Sequence, residues 1–174
     1  MKTKIITTIL ATVLITTLKL NSATHTVTNG NDSGTGSLRQ IVLNANSGDT
    51  IIFASNVSDV YLVEDDIIID KDLTIIGGTG DDKVTIYAGS RRIFYIDVDY
   101  ELAISNLILT GAYHNNYGDD GGAVYVDYST FIADNCIFSN NVNQYGGAVG
   151  FCMVISSQLT VYSQIIQVFG MQVQ

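Results

Sequence analysis

The feature that most constrains this chain is an internal repeat. Three apolar segments, Leu73–Gly77, Leu102–Asn106 and Phe131–Asn135, begin at equal intervals along the chain, at positions 73, 102 and 131. They end in Gly77, Asn106 and Asn135, residue types that adopt a left-handed backbone more readily than others. A fixed spacing between short apolar segments indicates stacked units, each of which buries its apolar face against the next.

Two further markers recur in the same part of the chain. Gly111 and Asn140 lie five residues beyond the Asn corners, so each unit reads as strand, left-handed corner, strand, left-handed corner. An Ala-Val pair follows two glycines twice, at a slightly shorter interval than the first repeat. These glycines are Gly121, Gly122, Gly146 and Gly147. The shorter interval is explained by residues 112–120, a longer loop in the earlier unit, which is where a solenoid accepts an insertion.

Short apolar runs alternate with turns from residue 50 onward. The chain has 16 Gly, 10 Tyr and no Pro, a composition that favours strands broken by glycine turns over long helices. We therefore predict an all-β chain in which residues 50–150 form the coils of a right-handed parallel β-helix. Regular strand spacing also fits a jelly roll or a β-sandwich, which stays open as the alternative.

Residues 24–49 have the pattern of a cap in front of the coils. Ser37 can accept a hydrogen bond from the amide of Gln40 while the Gln40 side chain reaches back, as in a capping box. One apolar face of a short helix follows, formed by Leu38, Ile41, Val42 and Ala45. Such a helix is suited to cover the open end of a stack of sheets. Residues 151–174 do not continue the repeat, and we interpret them as a degenerate or truncated segment.

Residues 1–23 have the pattern of a secretory signal peptide. Lys2 and Lys4 precede an apolar run from Ile5 to Leu18, and small residues near Ala23 offer a cleavage position. This run is shorter than the ~18–20 residues that span a bilayer, so the alternative of a membrane anchor fits less well. No later run is long enough to span, and we predict a secreted or cell-surface protein without a transmembrane span after cleavage.

The charge balance narrows the class of partner. The formal net charge is −9 at pH 7, and cleavage removes three of the eight basic residues and none of the 17 acidic ones. The remaining five basic and 17 acidic residues give the mature chain a net charge of −12. Such a surface repels phosphates, so we expect no nucleic acid partner.

The two cysteines allow two interpretations. In a secreted chain Cys136 and Cys152 can form a disulfide. The apolar neighbours of Cys136 equally suit a buried free thiol.

The repeated motifs resemble those of a known family. The two Gly-Gly-Ala-Val segments, with Phe138-Ser139-Asn140-Asn141 between them, resemble the repeats of the polymorphic outer membrane proteins. The stretch from Thr26 to Phe53, with Ser37-Leu38-Arg39-Gln40, is similar to the cap of many secreted β-helix proteins. The resemblance implies a surface-exposed, adhesin-like β-helix that contacts a host or matrix molecule, protein or glycan. It brings no catalytic residues and no cofactor.

A glycine-rich run offers a candidate metal site. Residues 77–85 fit the nonapeptide that binds Ca²⁺ in parallel β-rolls, with Gly77, Gly78, Gly80 and Asp82 in the ligand positions. Calcium in such rolls lies between consecutive turns and needs about six to eight oxygen ligands. Because the motif occurs once, the pattern favours a plain glycine turn.

Carboxylates offer a candidate catalytic site. Asp97, Asp99 and Glu101 alternate along one predicted strand, and Asp119-Asp120 lie in a loop. Polysaccharide lyases and hydrolases with this fold use such acids, and Arg91 or Arg92 could be the basic partner. Acidic side chains that point outward also serve simply to keep a strand soluble. We therefore keep a carbohydrate-active enzyme as the alternative function. His25 and His114 stand alone in polar surroundings, and we predict that both are exposed.

A tyrosine-rich loop has the composition of a recognition surface. It consists of Tyr113, His114, Asn115, Asn116 and Tyr117. Aromatic rings and amides can contact sugars or proteins at low entropic cost, although an ordinary long turn has the same composition. We therefore expect a binding or structural module without catalysis.

Overall fold

The computed structural model describes residues 22–89, 91–114, 122–143, 147–152 and 159–162. Within these ranges it contains one helix and 16 strands. In chain order they are β1 (Thr24–Val27), α1 (Leu38–Asn44), β2 (Asp49–Phe53), β3 (Asp59–Leu62), β4 (Ile67–Ile69), β5 (Leu73–Ile76), β6 (Val84–Ala88), β7 (Phe94–Ile96), β8 (Glu101–Ser105), β9 (Leu107–Thr110), β10 (Tyr113–His114), β11 (Val124–Asp127), β12 (Thr130–Asp134), β13 (Ile137–Ser139), β14 (Val142–Asn143), β15 (Val149–Cys152) and β16 (Leu159–Tyr162).

The strands form three parallel sheets that share one core. Sheet A has the order β1-β2-β5-β8-β12-β16, sheet B the order β13-β9-β6-β3, and sheet C the order β15-β11-β7-β4. Strands β10 and β14 pair with each other, and every pairing is parallel. The chain visits A, B and C in turn and then starts the next layer, which makes a solenoid of about four coils. The prediction of a parallel β-helix is confirmed, and the jelly roll and sandwich alternatives are excluded because they require antiparallel strands.

The interval of the sequence repeat is the length of one coil. Leu73 pairs with Leu102 and Leu102 with Phe131, so the three side chains stand in one column. All three are buried in a common cluster that also receives the inward residues of sheets B and C. Burying aliphatic and aromatic side chains in this way stabilises a fold by roughly 1.5–3 kcal/mol per side chain relative to exposure.

Left-handed corners turn the chain between sheets, as the sequence predicts for four of the five positions. Asn106, Asn135, Gly111 and Asn140 have φ of 55°, 50°, 76° and 53°. The side chains of the first two also bond across the coils, with Asn135 Nδ2 2.7 Å from Asn106 Oδ1. The prediction was wrong for Gly77, whose φ is not left-handed. Position 77 requires glycine for another reason, because a Cβ there would overlap the Asn106 carbonyl oxygen of the next coil.

The glycine pairs also mark a close approach between coils. A Cβ on Gly122 would overlap the carbonyl oxygen of Gly147, so the two residues face each other on consecutive coils. The alanines that follow them are buried, and the amide of Ala123 donates to the carbonyl of Ala148 at 2.9 Å. Gly121 and Gly146 lie outside the described residues.

The Phe-x-x-Asn motif has a structural role at the second corner. Phe138 is buried in the core, and Asn141, also buried, accepts a hydrogen bond from the amide of Ala112 at 3.0 Å. The Asn141 side chain also donates to the carbonyl of Leu109 at 2.9 Å. At the end of sheet B, Asn141 therefore provides hydrogen-bond partners for a backbone amide and a backbone carbonyl of the preceding coil.

The predicted capping helix is confirmed. Ser37 accepts from the Gln40 amide at 3.2 Å, and Leu38 and Val42 are buried against the first coil. The prediction that the Gln40 side chain bonds back to the Ser37 amide was wrong. The Gln40 side chain donates instead to Asn44 at 3.1 Å, because the Ser37 amide already bonds the carbonyl of Gly34.

An ion pair ties the cap to the coils. Arg39 donates twice to the buried carboxylate of Asp32, at 2.7 and 3.0 Å, and once to the carbonyl of Asp66. Asp32 also accepts from the amides of Val63 and Glu64. Burial alone would raise the pKa of Asp32, but these bonds outweigh it and hold the pKa below its ordinary value. The Ser-Leu-Arg-Gln stretch thus fastens the helix to the corner between β3 and β4.

Some strands were not apparent in the sequence. Strand β1 belongs to the predicted cap, yet it pairs with β2 and is the first strand of sheet A. Strand β16 lies in the segment interpreted as degenerate, yet Leu159 pairs with Phe131 and extends sheet A. The solenoid therefore continues past residue 150.

Candidate functional site

The structure separates the three candidate catalytic carboxylates. Strand β7 ends at Ile96, Val98 is 43% exposed, and Asp99 has φ of 68°. The prediction that Asp97, Asp99 and Glu101 share one strand face was therefore wrong, because the chain turns a left-handed corner between them. Asp97 precedes that corner, and Glu101 is the first residue of β8.

Asp99 and Glu101 nevertheless line one concavity, which we call the corner pocket. It has a volume of about 450 Å³ at the corner between sheets C and A. Its lining is Asp72, Asp99, Tyr100, Glu101, Tyr128, Ser129 and Thr130. Asp72 is held there, since its Oδ1 accepts from the Glu101 amide at 2.9 Å. The pocket thus combines three carboxylates with two tyrosines.

The walls of the corner pocket repeat from coil to coil. Tyr128 has φ of 45° and stands one repeat interval after Asp99, whose amide donates to the Tyr128 carbonyl. Ser129 is buried, accepts from the Tyr100 amide at 3.1 Å and donates to the carbonyl of Asp97. This third left-handed corner was missed from the sequence because Asp99 was assigned to a strand and Tyr128 is not a typical corner residue, although their spacing equals that of the repeat.

The two arginines proposed as basic partners have other contacts. Arg91 pairs with Asp65 at 3.4 Å in an exposed salt bridge. Arg92 is buried and its Nε lies 2.9 Å from Asp66 Oδ2. Its guanidinium also lies over the rings of Tyr95 and Tyr125, at 5.6 and 5.0 Å from their centroids. Neither arginine is among the residues that line the corner pocket.

The outer face of sheet C around Arg92 is a fixed aromatic cluster. The rings of Tyr95 and Tyr125 are 5.4 Å apart, and the Tyr95 hydroxyl donates to Asp127 at 2.8 Å. Burial, and then this bond to a carboxylate, raise the pKa of Tyr95 to about 12. Burial and a hydrogen bond with Cys152 likewise raise the pKa of Tyr125. These tyrosines are engaged with one another and act as structural contacts.

The candidate calcium motif forms a tight turn. The Asp82 amide donates to the Thr79 carbonyl at 3.1 Å, Gly80 has φ of 62°, and a Cβ on Gly78 would overlap the Asp82 carbonyl. On the next coil Gly77 faces Asn106 rather than a second glycine motif. Within the residues that the structure describes, no three His, Cys, Asp or Glu side chains lie close enough to hold a metal ion.

His25 is not isolated, so that prediction was wrong. Its Nε2 lies 2.7 Å from Oδ2 of Asp49, a carboxylate that is 2% exposed. Asp49 also accepts from the amides of Asn46 and Ala23, at 2.9 and 2.8 Å. The Asn46 amide, then His25 and the Ala23 amide, lower the pKa of Asp49 to about 2. This carboxylate joins β1, the helix exit and β2.

The cysteines are both free in the structure. Cys136 is buried, its Sγ donates to the carbonyl of Asp134, and burial raises its pKa to about 11. Cys152 is partly exposed, at the end of β15. Of the two interpretations that the sequence allows, the buried thiol is the one observed for Cys136.

Only the first part of the candidate binding loop is described. Tyr113 and His114 form β10, which pairs with Val142 and Asn143, and Tyr113 is 50% exposed. Asn115, Asn116 and Tyr117, as well as Asp119 and Asp120, lie outside the described residues. The proposal of a recognition loop therefore rests on composition and on the exposure of Tyr113.

A second aromatic surface lies on the outer face of sheet B and was missed from the sequence. Tyr61 and Tyr87 are register partners on β3 and β6, and their rings stack with centroids 4.8 Å apart and planes within 6°. They are 56% and 37% exposed. We call this pair the tyrosine stack. The stack was missed because the short run Val60–Val63 was not recognised as a strand.

The described residues define a parallel β-solenoid with a helical cap and two surface features, the corner pocket and the tyrosine stack. No family model matches the chain, and no curated protein or solved structure does so either. Across the described ranges, no helix has the length and apolar content that crossing a membrane requires.

Proposed function

We propose that this chain is a secreted or cell-surface β-solenoid that acts as a non-catalytic binding module for a protein or glycan on another surface. The observation that carries the proposal is the tyrosine stack. Tyr61 and Tyr87 point away from the core, so their large rings do not serve to bury the interior of the solenoid. Exposed aromatic rings that are held in place are the typical anchors of recognition surfaces.

The tyrosine stack is preorganised for contact. Tyr87 hydrogen-bonds to Asp59, and burial together with this carboxylate raises the Tyr87 pKa. Asp59 is itself fixed by Ser58, whose hydroxyl donates to it at 2.6 Å. Since the rings are already ordered, a partner that packs against them meets little of the entropic cost of immobilising side chains.

The test is adhesion of the purified chain. Fluorescently labelled protein is titrated onto cultured epithelial cells and onto collagen- and fibronectin-coated wells. We expect saturable binding that the double variant Tyr61→Ala/Tyr87→Ala weakens at least tenfold, while Ile132→Thr on the outer face of sheet A leaves it unchanged. Absence of saturable binding, or equal binding by both variants, would contradict the proposal.

The predicted export has its own test. If residues 1–23 act as a signal peptide, protein recovered from the medium of a secreting host will begin near Thr24 by mass spectrometry. Replacing Ile9 and Leu10 by Asp, which interrupts the apolar run, should retain the chain inside the cell at full length. Secretion of this variant would show that residues 1–23 are not the export signal.

The corner pocket favours a second candidate function, a carbohydrate-active enzyme. Asp99 and Glu101 line one concavity with Asp72 and Tyr128, and paired carboxylates are the acid and base of glycoside cleavage. Incubation with a panel of plant and bacterial polysaccharides, followed by assays for reducing ends and unsaturated products, tests this function. Any cleavage must fall by at least about a hundredfold in Asp99→Asn and in Glu101→Gln. Cleavage that survives in both variants would exclude the pocket as its source.

A further inference from the structure

We propose that the tyrosine stack, the binding surface of the proposed function on which this inference rests, contains a slot for a neutral sugar ring beside Tyr87 and above Thr110. The stack follows the ladder of sheet B. Tyr61, Tyr87 and Thr110 are consecutive register partners on β3, β6 and β9. The 4.8 Å between the tyrosine rings equals the strand spacing of about 4.7–4.9 Å, so the rings occupy successive rungs.

The next rung is left open by a short side chain. Tyr61 covers one face of the Tyr87 ring, and the residue beside the other face is Thr110, which reaches far less from the sheet than a tyrosine. A six-membered ring placed over Thr110 would continue the stack at the same spacing. Sugar rings present a flat face of C–H groups that packs against an aromatic ring, and such contacts add to the area that is buried.

Hydroxyl groups lie where the edge of that ring would be. Ser139, the partner of Thr110 on β13, donates its hydroxyl to Thr110 Oγ1 at 3.0 Å. Because Thr110 accepts this bond, its own proton remains to donate to a ligand, and Ser139 Oγ keeps a lone pair to accept. Sugar hydroxyls can act as both donors and acceptors, so they match this pair.

The charge of the surface selects the class of glycan. The outward side chains of sheet B are Asp59, Tyr61, Thr85, Tyr87, Ile108, Thr110, Ile137 and Ser139. None of them is basic, and the one acid is bonded to Ser58 and Tyr87. Uronic acid or sulfated chains would find no cation among these side chains and would be repelled by an acidic protein, whereas a neutral glycan meets no such penalty.

The experiment measures oligosaccharide binding by isothermal titration calorimetry. The probes are cellohexaose and chitohexaose as neutral chains and hexagalacturonate as the anionic control. We expect a neutral hexaose to bind and hexagalacturonate not to bind. Tyr87→Ala should weaken the affinity about tenfold or more, whereas Ile68→Ala, which removes an exposed apolar side chain on the outer face of sheet C, should leave it unchanged.

A filling variant tests the slot itself. Thr110→Tyr places a third ring on the open rung and should abolish hexaose binding with the stack intact, while Thr110→Ser keeps the hydroxyl and should retain binding within about threefold. Circular dichroism confirms folding, and if Thr110→Tyr does not fold, the comparison of Tyr87→Ala with Ile68→Ala decides. The inference is overturned if no neutral hexaose binds, if hexagalacturonate binds better, or if Tyr87→Ala binds as tightly as Ile68→Ala.

The result separates this inference from the proposed function. Should the chain adhere to cells through Tyr61 and Tyr87 while no hexaose binds or competes, the binding module stands and its partner is not a neutral glycan. Should hexaoses bind but cells and coated wells not, the sugar slot stands and the adhesive role fails.

Discussion

Replacing Gly77 by Asn distinguishes the two reasons for a glycine at a coil corner. The repeat places Asn at the two equivalent positions, so sequence alone predicts a neutral change. In the structure the backbone of Gly77 is not left-handed, and a Cβ would overlap the Asn106 carbonyl oxygen and lie 2.8 Å from Leu107 Cδ2. Ordinary carbon–carbon contacts are about 3.5–4.0 Å, so the two coils would have to separate.

The cost follows from what that separation disrupts. The Gly77 amide donates to the Ser105 carbonyl at 2.8 Å, and losing this bond leaves a backbone group without its partner, at about 1–3 kcal/mol. Overpacking against Leu107 adds about 1–3 kcal/mol. We therefore expect Gly77→Asn to lower the free energy of unfolding by about 3 kcal/mol.

Urea unfolding followed by circular dichroism measures this difference. Gly80→Asn is the matched control, because Gly80 has φ of 62° and no atom lies within 4 Å of the place that a Cβ would take. Asn tolerates that left-handed conformation, so the control should change stability by less than about 1 kcal/mol. If Gly77→Asn is as stable as the native chain, the close approach of the two coils is refuted.

Three further predictions address the core, the cap and the thiols. Leu102→Ala should lower the free energy of unfolding in urea by about 2–5 kcal/mol, because the side chain is fully buried. Ile132→Ala, on the outer face of the adjacent strand, should lower it by less than about 1.5 kcal/mol. Equal losses would contradict the assigned faces. The pKa of Asp49 in the folded chain, about 2, lies below its ordinary 3.8, so its bonded carboxylate stabilises the fold above about pH 4 and this contribution disappears as the pH falls towards 2. Thermal unfolding between pH 2 and 5 should therefore depend less on pH in Asp49→Asn, and an unchanged pH profile would refute the role of Asp49. One thiol per native chain, that of Cys152, should react with Ellman's reagent and both should react in urea, whereas rapid labelling of Cys136 in the native chain would show that it is not buried.

The repeating part of the fold could be predicted because one physical requirement recurs in each coil. Leu73, Leu102 and Phe131 fill the same column, and Asn106 and Asn135 turn the same corner. Each of these positions is fixed by local demands, an apolar side chain inside or a residue that accepts a left-handed backbone. The same type of residue therefore recurs at the same spacing, and the sequence shows it as a repeat.

Other parts of the structure depend on contacts between residues far apart in the chain. Asp49 makes hydrogen bonds with His25 and Ala23 only because β1 lies beside β2. Neither the residue types nor their spacing indicates that these two strands pair. Gly77 resembles its Asn counterparts by position, yet its role is set by the backbone of the next coil.

The candidate surfaces were the hardest features to predict. The corner pocket depends on a turn at Asp99 that interrupts an apparently regular alternation of apolar and acidic residues. The tyrosine stack depends on the register between β3 and β6, and β3 contains only four residues with two apolar side chains inward. Alternation shows which way a side chain points, whereas a binding surface requires knowing which side chains of separate coils become neighbours.

The most direct test of the stacked coils is a disulfide placed across one rung of sheet A. With Cys136 and Cys152 replaced by Ala, the pair Ala103→Cys and Ile132→Cys lies on adjacent register partners, about 4.8 Å apart, within the Cα range that a disulfide spans. The pair Thr74→Cys and Ile132→Cys is two rungs apart, at about 9.6 Å, and lies beyond that range. Mild oxidation should close the first pair within the monomer, seen as a loss of two mass units, and leave the second open. Closure of the second pair in preference to the first would contradict the stacking of one repeat per coil in this register.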